Sequence, residues 1–356
     1  MKERLCGMIT ELSGIMSVSG FEHRAADKIR ELYAPYFDEI MTDRVGNHTL
    51  IKRCGREDAP KILIDAHFDE VGMLVSDVLE GGFLRIVNIG GIDPAIMQAA
   101  DVVVYGKENL RGVVISVPPH LRSGDDKKLP CVDELMVDVG IGYTLDELRE
   151  MIPVGTPVGF APAYSRFGEG YMAGKSFDDK ACAAIAVCAI SDIDKNSLAG
   201  DVYVSLSARE ETARFGGITP LCFAERPDYA MVIDVNLGDA PDAPERETVP
   251  VSKGISISFS AATDRELSRM TERLCQNAEI PFCRCATPSS TGTNATSVNI
   301  VGEGIPVVDV GLPLRNMHTY NEVISLDDCE ALYRVVGAFA RSAEIAERFG
   351  KEAAYD

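Results

Sequence analysis

The sequence predicts an α/β protein in which a discontinuous, sheet-based domain is interrupted by a β-rich insert. Three observations carry this. KILIDAH (61–67) and YAMVIDV (229–235) are apolar runs of strand length, and a small-residue helical run at 179–192 lies between them. From about Gly72 to Ser165 the pattern changes to short β-like runs punctuated by glycine and proline. The length of 356 residues suits one large domain carrying a smaller insert. The expected division is 1–71 with 166–356, and 72–165 as the insert.

Leu5, Met8, Ile9, Leu12 and Ile15 recur at helical spacing, so the chain opens on a helix. A loop at SVSGFEH and a second amphipathic run through Leu32 follow. KILIDAH has polar residues at its C-terminal end, where open α/β sheets place ligands. The insert reads as MLVSDV, FLRIVNI, ADVVVYG, RGVVISV and GTPVGFAP, too closely spaced for βαβ units. Beyond it come the 179–192 helix, strands at 201–208 and 229–235, and a helix near 264–277. The tail ERFGKEAAYD reads as the frayed end of a helix.

A formal charge of −20 argues against nucleic acid or an anionic membrane as partner, because both need basic patches. A peptide or small-molecule substrate fits, although surface acidity also serves plain solubility. Lys2, Glu3, Arg4 and Glu11 break up the N-terminus, so no signal peptide is expected. No stretch approaches the roughly 20 apolar residues of a membrane span. A cytoplasmic protein is expected. The ten cysteines include no CxxC pair, only CRC at Cys283 and Cys285, which points to a reducing compartment and away from cysteine-rich structural zinc.

Of five histidines, His67 and His318 follow strand-like runs and have acidic neighbours. His67 stands in DAHFDE with Asp69 two residues on, placed to orient the ring or a neighbouring group. Asp178 and Asp179 open a helical run after a glycine-rich turn; they read either as helix caps or as a carboxylate able to reach two ions. Glu210 and Glu211 follow the strand ending near Ala208. They are a solvated loop, or a pair in which one binds metal and the other takes a proton from bound water. Asp234 lies inside an apolar strand, where a carboxylate is costly unless paired or metal-bound. Mixed nitrogen and oxygen donors suit zinc, cobalt or manganese.

This order of motifs resembles the dinuclear metallo-aminopeptidase family of the tetrahedral (TET) aminopeptidases, glutamyl aminopeptidase and deblocking aminopeptidase, some of whose members are labelled endoglucanases. The pieces are VSGFEH, DAHFDEVG, GGIDPAIM, SVPPHL, VDVGIG, VGTPVGF, GKSFDDKAC, AREET, VIDVN, STGTNA and RNMHTYNEV, and they span essentially the whole chain. The resemblance implies a mixed-sheet metallo-exopeptidase domain flanked by helices, with an inserted small β-barrel-like domain used in dimerisation. It implies two divalent ions per subunit, zinc or cobalt with manganese also suited. His67 and Asp234 would hold one ion, Glu211 and His318 the other, and Asp178 would bridge. Glu210 would be the general base and Asp69 the partner of His67. Peptides would be the substrates, and the chain would assemble with itself, from dimer to dodecamer.

Two departures bear on substrate preference. Arg209 and Arg214 flank the glutamate pair, and Asn294 stands where many relatives carry aspartate, removing a negative charge near the expected site. The rival readings are another metal-dependent amide hydrolase, such as a deacylase or carboxypeptidase, and a non-catalytic peptide-binding or assembly homologue. Two-carboxylate glycoside hydrolysis would leave the histidines and the strand-buried aspartate without purpose.

Overall fold

Apolar runs without polar alternation become strands buried on both faces, and here they form the centre of one mixed sheet. The computed structural model describes residues 1–116, 131–212, 216–241, 243–288 and 290–350. Across the 11-stranded sheet the order is Glu39–Thr42, His48–Lys52, Asp201–Ser207, Lys61–His67, Tyr229–Leu237, Val307–Arg315, Glu322–Ser325, Tyr171–Gly174 and Tyr164–Phe167. Ile255–Phe259 and Phe282–Ala286 branch from Val307–Arg315. Asp201–Ser207, Lys61–His67, Tyr229–Leu237 and Val307–Arg315 run parallel, so their C-terminal ends emerge on one side.

One sheet face is covered by the Lys2–Ser13, Phe177–Ser191 and Leu326–Ala340 helices, among others. Phe177–Ser191 is apolar almost all round, and its Ala and Cys side chains let two helices and the sheet close on it. The opposite face is covered more thinly, by Ile218–Glu225 and the short Ala295–Val298. The first helix is followed by a short 3₁₀ turn and the Ala26–Tyr33 helix, as the apolar spacing predicts. The final helix ends at Phe349, and the last residues of the tail lie outside the described residues.

The insert is a closed barrel with its own apolar core. Its strands run in the order Gly72–Leu79, Phe83–Ile89, Met136–Asp138, Asn109–Val114, Asp101–Tyr105 and Pro157–Phe160. Closure leaves no sheet edge to pair with another chain. The sequence reading of short strands omitted one helix in this module, Leu145–Met151. Its signal was local: Thr144 accepts from the Glu147 N–H while the Glu147 carboxylate accepts from the Thr144 N–H.

Where the barrel leaves the sheet, Gly72 passes so close to the N-terminal segment that a Cβ would sit 2.9 Å from both Val18 methyl groups. Beside it, Glu70 is buried against Lys175 and Lys180, and it accepts from the Ser17 N–H at 3.1 Å. Burial opposes ionisation of Glu70, but the two lysines overcome it and hold the carboxyl at about 2. A carboxyl held below its ordinary 4.5 contributes stability that is complete above that value and is lost as pH falls toward 2. Glu70→Gln is expected to cost about 3–5 kcal/mol at neutral pH by leaving the buried Lys175 ammonium without its partner, while Lys180, which burial already lowers to about 7, gives up its proton. In urea unfolding the gap to wild type should narrow between pH 5 and pH 2; a gap constant with pH rejects the ion-pair account.

Candidate metal centre

Three strand ends, one helix start and one loop converge. Lys61–His67 delivers His67, the turn after Asp201–Ser207 delivers Glu210 and Glu211, and Tyr229–Leu237 delivers Asp234. Asp178 comes from the start of Phe177–Ser191, and His318 from the loop after Val307–Arg315. His67 Nε2 lies 3.0 Å from Asp178 Oδ1 and 3.8 Å from Asp234 Oδ1. His318 Nε2 lies 3.3 Å from Asp178 Oδ2 and 3.3 Å from Glu211 Oε2. Asp178 therefore turns one carboxylate oxygen to each histidine.

Main-chain hydrogen bonds hold these side chains in place. The Asp69 carboxylate accepts from the N–H of Glu210 at 2.9 Å and of Glu211 at 3.2 Å. Its main-chain carbonyl is 3.0 Å from His67 Nδ1, so Asp69 orients the ring and the glutamate turn together. Glu322 does the same across the site, accepting from the N–H of Asp178 at 3.0 Å and of His318 at 2.9 Å. Asp179 accepts from the His67 N–H at 3.1 Å, and Glu22 from the Arg209 N–H at 3.0 Å. Asn47 clasps both ends of the glutamate loop: its Oδ1 accepts from the Ala208 N–H, and its Nδ2 donates to the Gly217 carbonyl.

The electrostatics follow from crowding acids under a dry surface. Burial, then the neighbouring Asp179, pushes the Asp234 carboxyl well above its ordinary range. Burial, then Asp178, does so for Glu322. Burial lifts Glu210 to about 7, with Glu211 and Asp69 adding to it. Asp178 goes the other way: hydrogen bonds from His318 and His67 overcome its burial and hold it below the carboxylate range. Hydrogen bonds to Asp178 and Glu211 lift His318 to about 11. Such an excess of buried negative charge is what a divalent cation relieves.

The donors also fit an ion in spacing. His67, Asp178 and Glu211 offer ligand atoms within 4.8 Å of one another, as do His67, Asp179 and Asp234. Bonds of about 2.0–2.2 Å from a central zinc-like ion span such gaps.

All seven residues singled out in the sequence, His67, Asp69, Asp178, Glu210, Glu211, Asp234 and His318, meet in this one place. In the sequence Asp179 reads only as one of the acidic pair that opens the helix, and Glu322, Glu22 and Asn47 were not anticipated. Glu322 carried a local signal, an acid four residues after His318, and Glu22 and Asn47 carried none. Asn294, read in the sequence as an absent charge near the site, lies against the sheet beside it. Its Nδ2 donates to Asp65 and to Ser207, each at 2.9 Å, so the carboxylate of this buried pair is Asp65, two residues before His67. Arg209 is exposed, and Arg214 lies outside the described residues.

Solved structures share this architecture. A TET aminopeptidase from a marine sediment archaeon of the Thaumarchaeota aligns with a TM-score of 0.88 at 26% identity, covering 98% of this chain and 99% of that one. The TET1 peptidase of Pyrococcus horikoshii, described as assembling into a tetrahedron or a large octahedral shell, aligns at 0.82 and 25% identity, covering 94% and 99%. Fold and site together define a peptidase built on a mixed α/β sheet. The lysyl aminopeptidase of Pyrococcus furiosus is 28% identical over 326 residues, 90% of this chain and 92% of that protein. The family model described as M42 glutamyl aminopeptidase matches residues 46–335, and the chain belongs to that family.

Asp69→Asn should disturb the site through the N–H groups of Glu210 and Glu211 and through the His67 ring, whose Nδ1 lies 3.5 Å from Asp69 Oδ1. Replacing an acceptor of two N–H groups by an amide is expected to cost about 2 kcal/mol in thermal unfolding and to lower peptide hydrolysis about 10–100-fold. Unchanged hydrolysis would show that the two glutamates hold their place without it.

Proposed function

We propose that this chain is a dinuclear-metal aminopeptidase that removes N-terminal residues from peptides. The reading is carried by Asp178, with one oxygen toward each histidine, and by Glu210 alongside at a near-neutral pKa of about 7. His67 and Asp234 would hold one ion and Glu211 and His318 the other, with Asp178 between them. Bound there, two zinc or cobalt ions, or manganese, supply Lewis acidity toward a carbonyl and lower the pKa of a shared water.

The chain's own residues do the rest. Glu210 takes the proton of the attacking water, whose oxygen adds to the first peptide carbonyl, and then returns that proton to the departing amine. Asp69 keeps Glu210 aimed through its main-chain N–H. The surplus of carboxylates suits the free α-ammonium group of a peptide, which is what distinguishes an aminopeptidase from a deacylase or carboxypeptidase.

Residues 1–71 and 166–356 would form the catalytic unit and 72–165 the dimerisation module, with copies assembling further into a closed shell. A cytoplasmic location fits the ten free cysteines. Among the described residues no helix is long and apolar enough to cross a membrane.

Wild type stripped of metal and reloaded with zinc, cobalt or manganese should regain release of N-terminal residues, while Glu210→Gln should bind the same metal and stay at least about 100-fold slower. Peptides with a blocked α-amine should resist. Hydrolysis of blocked peptides would shift the assignment to a deacylase, and no release from any peptide would shift it to a binding protein.

Arg209 adds a substrate preference. It is exposed next to Glu210, and its guanidinium makes no ion pair among the described residues. It is therefore available to a substrate carboxylate. Chromogenic amides of Glu should be turned over faster than those of Leu or Lys, and Arg209→Ala should remove about tenfold of that advantage. Equal turnover of the three sinks this assignment.

A further inference from the structure

The segment GGIDPAIM (90–97) leaves the barrel strand Phe83–Ile89 and lies against the metal centre. Its later part is fixed to the barrel. Ile92 and Met97 are buried in the barrel core, and between them Asp93 caps a short 3₁₀ turn by accepting from the Ala95 N–H at 2.8 Å. The two glycines face the other way. A Cβ at Gly91 would sit 3.3 Å from His318 Nδ1, and one at Gly90 would meet Val71 at 2.8 Å and Glu211 Cβ at 3.6 Å. Glycine lets the barrel backbone approach two side chains of the site this closely. In that approach the Gly91 carbonyl accepts from His318 Nδ1–H at 3.0 Å. Asn88 Nδ2 steadies the turn by donating to the Gly90 carbonyl at 2.8 Å.

The two histidines are therefore oriented from different parts of the fold. His67 Nδ1 meets the carbonyl of Asp69, two residues along its own chain. His318 stands in a half-buried loop with a left-handed backbone (φ 59°), and the partner of its Nδ1 lies 227 residues away in the barrel. A second contact joins the barrel to that loop: the rings of Phe160 and Tyr320 are 5.8 Å apart.

We propose that Gly91 is a positioning residue of the catalytic centre, its carbonyl setting the His318 ring so that retention of the ion at Glu211 and His318 depends on the barrel. The role rests on the dinuclear reading above. An imidazole that gives its Nε2 lone pair to an ion keeps its proton on Nδ1, and the acceptor of that proton fixes the tautomer and direction of the ring. For His318 the insert supplies that acceptor. Glu211, the other ligand assigned to the same ion, packs on Gly90, whereas His67 and Asp234 are placed by the central strands. The barrel thus acts on one ion of the pair.

The test is cobalt(II) titration of the metal-free full chain, followed by visible absorption and calorimetry, with the melting temperature of the metal-free protein as the check on folding. Wild type should take up two ions. Gly91→Ala should hold one with unchanged affinity and the other about 100-fold more weakly, and the weakened ion should be the one lost in Glu211→Ala. Asn88→Ala, which frees the turn without adding atoms, should weaken the same ion about tenfold. At limiting cobalt, amide hydrolysis by both variants should trail wild type, and excess cobalt should restore it. If Gly91→Ala fails to fold, Asn88→Ala answers the same question. Equal weakening of both ions, or unchanged cobalt affinity in the folded variants, overturns the inference and leaves the glycines a purely structural role in the barrel turn. A wild type that binds a single ion overturns the dinuclear reading itself, and the inference with it.

Discussion

Ionised carboxylates taken out of water cost several kcal/mol each unless cations or N–H groups answer them, and much of the architecture around His67 is organised by that requirement. Asp69, Asp178, Asp179, Asp234 and Glu322 are buried at one end of the sheet, with Glu210 and Glu211 nearly so. Two histidines cannot neutralise them. The fold supplies the remainder as main-chain N–H groups: those of Glu210 and Glu211 go to Asp69, and those of Asp178 and His318 go to Glu322. Each of these acids is thereby spent on geometry, and the remaining negative charge faces the space between the histidines. The parallel strand ends make this possible, because they stop at one level and leave their loops free to turn N–H groups inward.

The same logic explains why only part of the site could be read from the sequence. Asp234 interrupts an apolar strand, and His67 ends one, so both break a local pattern and are visible without coordinates. Glu22 and Asn47 break no pattern, and nothing local tells what Asp179 bonds to. They act by accepting or donating to backbone groups far away in the chain, as Glu22 does to Arg209, and such pairings exist only once the chain is folded. The barrel was legible as short runs between turns, whereas its closure and its internal helix were not: closure depends on the pairing of Pro157–Phe160 with both Gly72–Leu79 and Asp101–Tyr105.

At one position the resemblance to known motifs is completed by the fold. A motif compared residue by residue treats Asn294 as a charge removed. In the fold, Asn294 points its amide at Asp65 and Ser207 within the sheet, and Asp65 is fully buried. Burial pushes the Asp65 carboxyl up to about 6 despite the hydrogen bond from Asn294. An aspartate at 294 would set two carboxylates against each other in that dry space, so an amide there goes with the aspartate at 65. The pair has to be read together: the negative charge sits on the strand that ends in His67, and position 294 supplies the donor that lets it be buried.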